Sequence, residues 1–276
     1  MRNTRGKVYL VGAGPGAPDL VTLRAARLLA GADIVFHDAL VHPDTIALAT
    51  RAIKVAVGKR CGRHSTAQRF INKRLIDAAE THPVVVRLKG GDPMLFGRAQ
   101  EEISALLAAG IEVEVVPGVT AALAVSAALQ VSLTRRAEVE NRGSRSVVFV
   151  TPSIGARNDE HGEAVTASSE WLDVVLAADT AVLYMASRQA DVIARQLIAA
   201  GKLKGTPVAI VRNATLANQE IALTTLEQLA SGASALSRAA DGATTLCIGE
   251  VYRQALALGG DASLDTHVDG ERCRVA

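Results

Sequence analysis

Val8-Tyr9-Leu10-Val11-Gly12-Ala13-Gly14-Pro15-Gly16-Ala17-Pro18-Asp19 is the stretch on which the fold turns. Its apolar opening reads as a buried strand, because a strand with one wet face would alternate. A dense Gly/Pro loop ends it. Thr22–Gly31 then carries Leu23, Ala26, Arg27 and Ala30 at helical spacing, with Gly31 as the stop. Strand, loop and helix in that order make the first half of a β-α-β unit.

The phrase repeats along the chain. Ile34-Val35-Phe36 reads as a strand ending at His37-Asp38, Pro43–Ala49 as a helix, and Ile53–Val57 as a strand ending in Gly58-Lys59. Gln68–Glu80 is an amphipathic helix, and Val84–Leu88 a strand running into Lys89-Gly90-Gly91-Asp92-Pro93. Gln100–Ala109 is a helix, Val113–Val116 a strand closed by Pro117-Gly118, and Thr120–Leu129 a helix of small residues. This alternation predicts an α/β fold with a mainly parallel sheet and helices on both faces. Ligands of such sheets lie beyond the carboxyl ends of the strands. Five loops that follow strands, Gly12–Asp19, His37-Asp38, Gly58–Ser65, Lys89–Arg98 and Pro117–Ala121, are predicted to converge on one edge.

After Leu133 the composition shifts. Arg135–Arg145 is charged and apolar-poor, Val147–Val150 is a strand, and Ser153–Ser169 is polar without helical period, hence a mobile loop. A second α/β unit runs from Trp171 to about Tyr252. Its expected strands are Thr180–Tyr184, Pro207–Val211, Ile221–Thr225 and Thr244–Gly249, and its helices Asp191–Ala200 and Leu226–Ala230. The predicted organisation is an N-terminal domain over 1–134, a link over 135–146, a C-terminal domain over 147–256 and a disordered tail over 257–276.

Composition narrows the function. The 276 residues are enough for about two domains. Aromatics make up only 3%, so the core must be aliphatic, and a base-stacking surface for single strands is disfavoured. Thirty basic against 28 acidic residues leave a net +2, which speaks against a duplex binder; no nucleic-acid partner is expected. No apolar run reaches about 18 residues, so no membrane span is expected, and the start lacks a secretory pattern. Cys61, Cys247 and Cys273 are too far apart for a disulfide framework or a zinc site. The expectation is a cytoplasmic protein without metal, with Cys247 in the core.

Several motifs carry chemistry, each beside a plainer reading. Gly12-x-Gly14-x-Gly16 invites a dinucleotide site, with Asp38 as the ribose-binding acid. Yet the third glycine comes one residue early, and Pro15 and Pro18 remove N–H groups a pyrophosphate would use. The loop is either a structural turn or a close approach of ligand to backbone. Lys89–Arg98 lacks a P-loop ending. It reads as a pocket for a cofactor with amine and amide groups, or as a tight turn with Arg98 in a surface ion pair. Lys59, Arg60 and Arg63, with Arg98, Arg135 and Arg136, suit a polycarboxylate or phosphorylated small molecule, or form a solvated basic face. Asp38 at a strand end is a candidate general base or a loop acceptor. Met185 is by default a core residue.

Taken together, Val8–Gly16, His37-Asp38, Val57–His64, Val86–Pro93, Phe96–Glu102 with Arg98, Glu101 and Glu102, Val116–Ala121, Leu183-Tyr184-Met185 and Pro207–Thr215 resemble the tetrapyrrole methylase family, with the pattern of its early-pathway members. The resemblance runs to Gly249-Glu250-Val251. It implies two α/β domains with mainly parallel sheets, an active-site cleft between them, S-adenosyl-L-methionine as cofactor (S-adenosyl-L-homocysteine as its product) and a homodimer. It further implies two successive methyl transfers to C2 and C7 of uroporphyrinogen III. By the same resemblance, Pro15, Gly90, Gly91, Asp92, Leu95, Thr120, Ala121, Met185 and Ala214 fall on cofactor positions. Asp38 falls on a proton acceptor and Lys59 on a proton donor, and Arg63, Arg98, Glu101 and Arg136 face the tetrapyrrole. A substrate with eight carboxylates suits Lys and Arg at the rim. The chain departs from the family at His37, at Arg135-Arg136-Ala137, at Pro152-Ser153 and at Ala214. Competing readings are a later precorrin methyltransferase, an NAD-dependent oxidoreductase and a cofactor-binding relic without turnover.

Overall fold

The computed structural model describes residues 5–57, 68–137, 143–152, 157–158, 164–165, 169–232 and 242–259. The chain divides into two compact units, Met1–Val125 with Arg157–Val165, and Ser126–Ala156 with Thr166–Ala276.

In the first unit the elements run β1 (Lys7–Gly12), α1 (Leu23–Gly31), β2 (Ile34–His37), α2 (Pro43–Ala47), β3 (Ile53–Ala56), α3 (Gln68–Thr81), β4 (Val84–Lys89), α4 (Ala99–Ala108) and β5 (Val113–Val116), with α5 (Ala121–Leu129) following. The sheet order is β3-β2-β4-β1-β5, and every pairing is parallel. Strand alternation sends Val8, Leu10, Ile34, Phe36 and Val85 to one face, where Leu75 of α3 and Leu106 of α4 cover them. Val11, Val35, Val86 and Leu88 go to the other, against Ala25 and Leu29 of α1. Burial on both faces explains the unbroken apolar runs. α1 begins where it does because Thr22 accepts the Ala25 N–H at 3.1 Å, satisfying a donor the helix cannot.

The second unit holds β6 (Val147–Val150), α6 (Glu170–Ala177), β9 (Thr180–Leu183), α7 (Ala190–Ala199), β10 (Pro207–Arg212), β11 (Glu220–Thr225), α8 (Leu226–Ala230), β12 (Thr244–Gly249) and α9 (Arg253–Gly259). The layers are α/β as expected, but the sheet is not mainly parallel. In the order β11-β10-β12-β9-β6, only β6 and β9 run together; the other three pairings are antiparallel. β10 and β11 form a hairpin across 213–219, which reverses the chain without a crossover helix. Cys247 is fully buried in β12, as expected.

Three more differences from the sequence reading stand out. Within the stretch read as a loop, β7 (Arg157–Asn158) and β8 (Ala164–Val165) pair antiparallel. Helix α6 was not visible in the sequence pattern and buries Trp171 and Val175. Helix α9 extends to Gly259, three residues into the expected tail.

Candidate active site

A parallel sheet sends every carboxyl end the same way, so the loops after β1, β2, β4 and β5 share one edge of the first unit. They meet there backbone to backbone. Gly14 and Gly91 exchange hydrogen bonds, with Gly91 N–H donating to Gly14 O at 2.8 Å. A Cβ on Gly12 would stand 2.5 Å from the Gly118 Cα, and a Cβ on Gly118 would stand 2.3 Å from the Gly91 carbonyl oxygen. Those two glycines are therefore required by packing. Asp92 ties the same loops, accepting the Gly118 N–H at 2.9 Å and the Met94 N–H at 2.8 Å.

Gly90 is different. It is exposed, and among the described residues a Cβ there would meet only Leu40 Cβ, at 3.8 Å. Among the described residues no packing accounts for its missing side chain. Pro15, Gly91, Asp92, Leu95, Thr120 and Ala121 are half-buried around the same loops. The structure thus brings seven of the nine expected cofactor positions onto one edge. The dinucleotide reading loses its remaining support: the Gly12–Asp19 loop leads into a 3-10 turn (Pro18–Leu20), not into a helix.

Asp38 follows β2 on this edge. Its Oδ1 accepts from the Arg87 guanidinium at 2.5 Å, and its side chain stays 30% exposed. Arg98 stands in the left-handed conformation (φ 54°) as the N-cap of α4 and donates twice to Glu101, at 2.7 Å each. The surface ion pair of the plainer reading is present, and Arg98 stands among the loops of this edge. The Arg98 hydrogen bond holds the Glu101 carboxyl below its ordinary value. Lys59 and Arg63, with the rest of 58–67, lie outside the described residues.

The other expected positions belong to the second unit. Met185 follows β9 and Ala214 follows β10; those strands point the same way, so both residues sit at one edge of their sheet. Met185 is 69% exposed, so the default core reading fails. Ala214 is buried between two left-handed residues, Asn213 (φ 50°) and Thr215 (φ 72°), and Met185 is itself left-handed (φ 55°). Left-handed backbone is uncommon outside glycine, is least tolerated by β-branched side chains such as Thr, and gathers at functional sites. Among the described residues, Phe96, Arg98, Met185, Asn213 and Thr215 adopt it at these two edges. Arg136 is exposed. Arg135 lines a hollow of about 600 Å³ with Asp179, Lys202, Thr206 and Glu250, at the opposite edge of the second sheet from Met185.

The sequence reading missed a buried charge cluster under the first edge. Arg87 and Lys89 share the inward face of β4, where α4 supplies Glu102 and α3 supplies Gln68; all four are buried. Arg87 Nε, Lys89 Nζ and Gln68 Nε2 each donate to Glu102 Oε1 at 3.1 Å. Burial pushes the Lys89 ammonium below its ordinary value and Arg87 adds to this, while Glu102 and Asp38 oppose it. The available signal was a Lys and an Arg at alternate positions of an otherwise apolar strand.

Comparison with known proteins gives the family. Residues 7–230 match the model of the Tetrapyrrole (Corrin/Porphyrin) Methylases. A protein named siroheme synthase from Zymomonas mobilis is 42% identical over 248 residues, 90% of this chain and 49% of that protein. Another of that name, from Psychrobacter arcticus, is 44% identical over 83% of this chain and 39% of its own length. The chain therefore spans half or less of these relatives. Uroporphyrin-III C-methyl transferase from Thermus thermophilus, solved with S-adenyl homocysteine, is 36% identical, covers 90% of this chain and 100% of its own, and superposes with a TM-score of 0.74. A cobalt precorrin-4 methyltransferase superposes at 0.73 with 27% identity over 91% of this chain. On the strength of the family match across most of its length, the chain belongs to the tetrapyrrole methylase family.

Proposed function

We propose that the protein transfers methyl groups from S-adenosyl-L-methionine to C2 and C7 of uroporphyrinogen III, giving precorrin-2, and that it works as a cytoplasmic homodimer. The observation that carries this reading is the likeness to a uroporphyrin-III C-methyl transferase that spans the whole of that enzyme. Family membership by itself leaves the substrate open, because one fold serves several tetrapyrroles.

The residues present fit the cofactor. Gly90 offers open space where a side chain would stand, and the backbone around Pro15, Gly91, Asp92, Leu95, Thr120 and Ala121 supplies amide groups at the same edge. Met185 and Ala214 are the corresponding candidates in the second unit. S-adenosyl-L-methionine supplies a methyl group already activated on a sulfonium, so the protein's work is to place the pyrrole carbon in line with it. The new C–C bond forms from the pyrrole electrons as the S–C bond breaks, and one proton must leave the macrocycle. Asp38 is the proposed proton acceptor, through Oδ2, which accepts no hydrogen bond among the described residues. Lys59 is the proposed proton donor. Arg63, Arg98, Glu101 and Arg136 are the proposed tetrapyrrole contacts, with Glu101 aligning Arg98 through the bidentate pair.

The test is anaerobic incubation with uroporphyrinogen III and methyl-labelled S-adenosyl-L-methionine. Two labels per macrocycle are expected. One label would reduce the reading to a single transfer, and none would overturn it. Transfer to a later precorrin in place of uroporphyrinogen III would move the protein to the later-pathway reading.

A further inference from the structure

Stability alone does not call for charges where Arg87, Lys89 and Glu102 lie. The surrounding face is apolar, built on Val8, Leu10, Phe36, Val85, Leu75 and Leu106. Taking each ion out of water costs several kcal/mol, and well-packed apolar residues often serve a core as well. What distinguishes the cluster is its outlet. Three donors converge on Glu102 Oε1, while among the described residues the equally buried Oε2 accepts none. Glu102 is thus held through one oxygen. Arg87 is fixed in three directions: Nε on Glu102, NH1 on the Leu88 carbonyl at 3.3 Å and NH2 on Asp38 Oδ1 at 2.5 Å. A planar guanidinium held at three points has no rotamer freedom left. The partner at its solvent end, Asp38, is the one member of the chain of contacts that reaches the edge.

We propose that Arg87 is a positioning residue of the site: pinned by Glu102, it occupies Oδ1 of Asp38 and so presents Oδ2 to the reacting macrocycle. This rests on the role proposed above for Asp38. Lys89 completes the device from below. Its side chain runs beneath the turn that precedes α4, where a Cβ on Gly97 would come within 3.0 Å of Lys89 Cε. One buried carboxylate therefore steadies both the strand end that bears Asp38 and the turn that bears Arg98.

The test is a cycle of Arg87→Gln, Asp38→Asn and the double variant. Arg87→Gln is expected to lower kcat about 10- to 100-fold, the order lost when a reacting group is misplaced. KM for uroporphyrinogen III and Kd for S-adenosylhomocysteine should stay within about twofold of wild type. In the double variant the loss should equal that of Asp38→Asn alone. A crystal structure of Arg87→Gln should show the Asp38 carboxylate in more than one rotamer. If Arg87→Gln does not fold, the isosteric Glu102→Gln is expected to give the same kcat-only loss and the same rotamer disorder. Losses that multiply in the double variant, a parallel fall in kcat and S-adenosylhomocysteine affinity, or an Asp38 that keeps its rotamer would each overturn the proposal. Absence of methyl transfer by the wild type would sink the functional reading instead; the rotamer experiment still decides the positioning role.

Discussion

Arg98 shows how one side chain can serve structure and recognition together. Its left-handed backbone starts α4, and its guanidinium is paired with Glu101 at the rim. An exposed pair of this kind contributes little to stability, so removing the cation should be felt mainly by an anionic ligand. Arg98→Leu is expected to weaken uroporphyrinogen III binding about 10-fold or more, the order of a lost charge-assisted contact, while S-adenosylhomocysteine affinity stays nearly unchanged. Calorimetric titration of both ligands checks this, and equal loss of both would remove Arg98 from the tetrapyrrole side. Cys247 makes the contrasting case of a residue defined wholly by burial, which pushes its thiol from an ordinary 9.0 to about 12. In the folded protein the thiol resists ionisation, so the stability it contributes is complete below pH 9.0 and is lost as pH rises from there toward about 12. At pH 8 iodoacetamide should leave the peptide bearing Cys247 unmodified until urea unfolds the chain; labelling of that peptide in native protein, read by mass spectrometry, would contradict its burial.

At the scale of elements, the first sheet was legible because its three inner strands share the same surroundings. Val8–Val11, Ile34–Phe36 and Val84–Leu88 are buried on both faces, and each is followed by a loop and a helix. That periodicity encodes direction, since a helical crossover returns the next strand parallel. The second sheet was legible as strands but not in its direction. Thr180–Leu183, Pro207–Arg212 and Thr244–Gly249 are as buried as their counterparts, and nothing in a buried apolar run tells which way its neighbour points. The glycines split similarly. Sequence marked these glycines without separating them, whereas the structure divides Gly12 and Gly118, which packing requires, from Gly91, whose φ of 66° favours glycine, and from Gly90, which leaves open surface. Gly118→Ala is expected to destabilise by about 1–3 kcal/mol or more, because the obstacle is the Gly91 carbonyl and not a side chain that can turn away. Urea unfolding measures the cost, and a change within 0.5 kcal/mol of wild type, the range of neutral surface substitutions, would mean the loops separate easily. The buried cluster escaped the sequence reading for a different reason: pairing Arg87 with Glu102 requires knowing that β4 and α4 face each other.

For the whole molecule, the expected cofactor gives a thermodynamic handle that needs no turnover. A ligand that binds only the folded chain stabilises it by about 2.7 kcal/mol at a hundredfold excess over its Kd. S-adenosylhomocysteine should therefore raise Tm in proportion to the logarithm of its concentration, and NAD should leave Tm unchanged. The reverse pattern, followed by scanning fluorimetry, would favour an oxidoreductase. The strand orders also set a schedule for the nascent chain. Lys7 of β1 pairs with Val84 on one side, and Val8 pairs with Val113 on the other. At about 5–20 residues per second, the strand waits roughly 4–15 s with both edges unpaired before β4 has been synthesised. The β10–β11 hairpin closes against its own neighbour as soon as it is made. Synthesis thus leaves β1, an inner strand of the first sheet, as the long-lived sticky segment, and makes Lys7–Gly12 the natural early target of a holding chaperone.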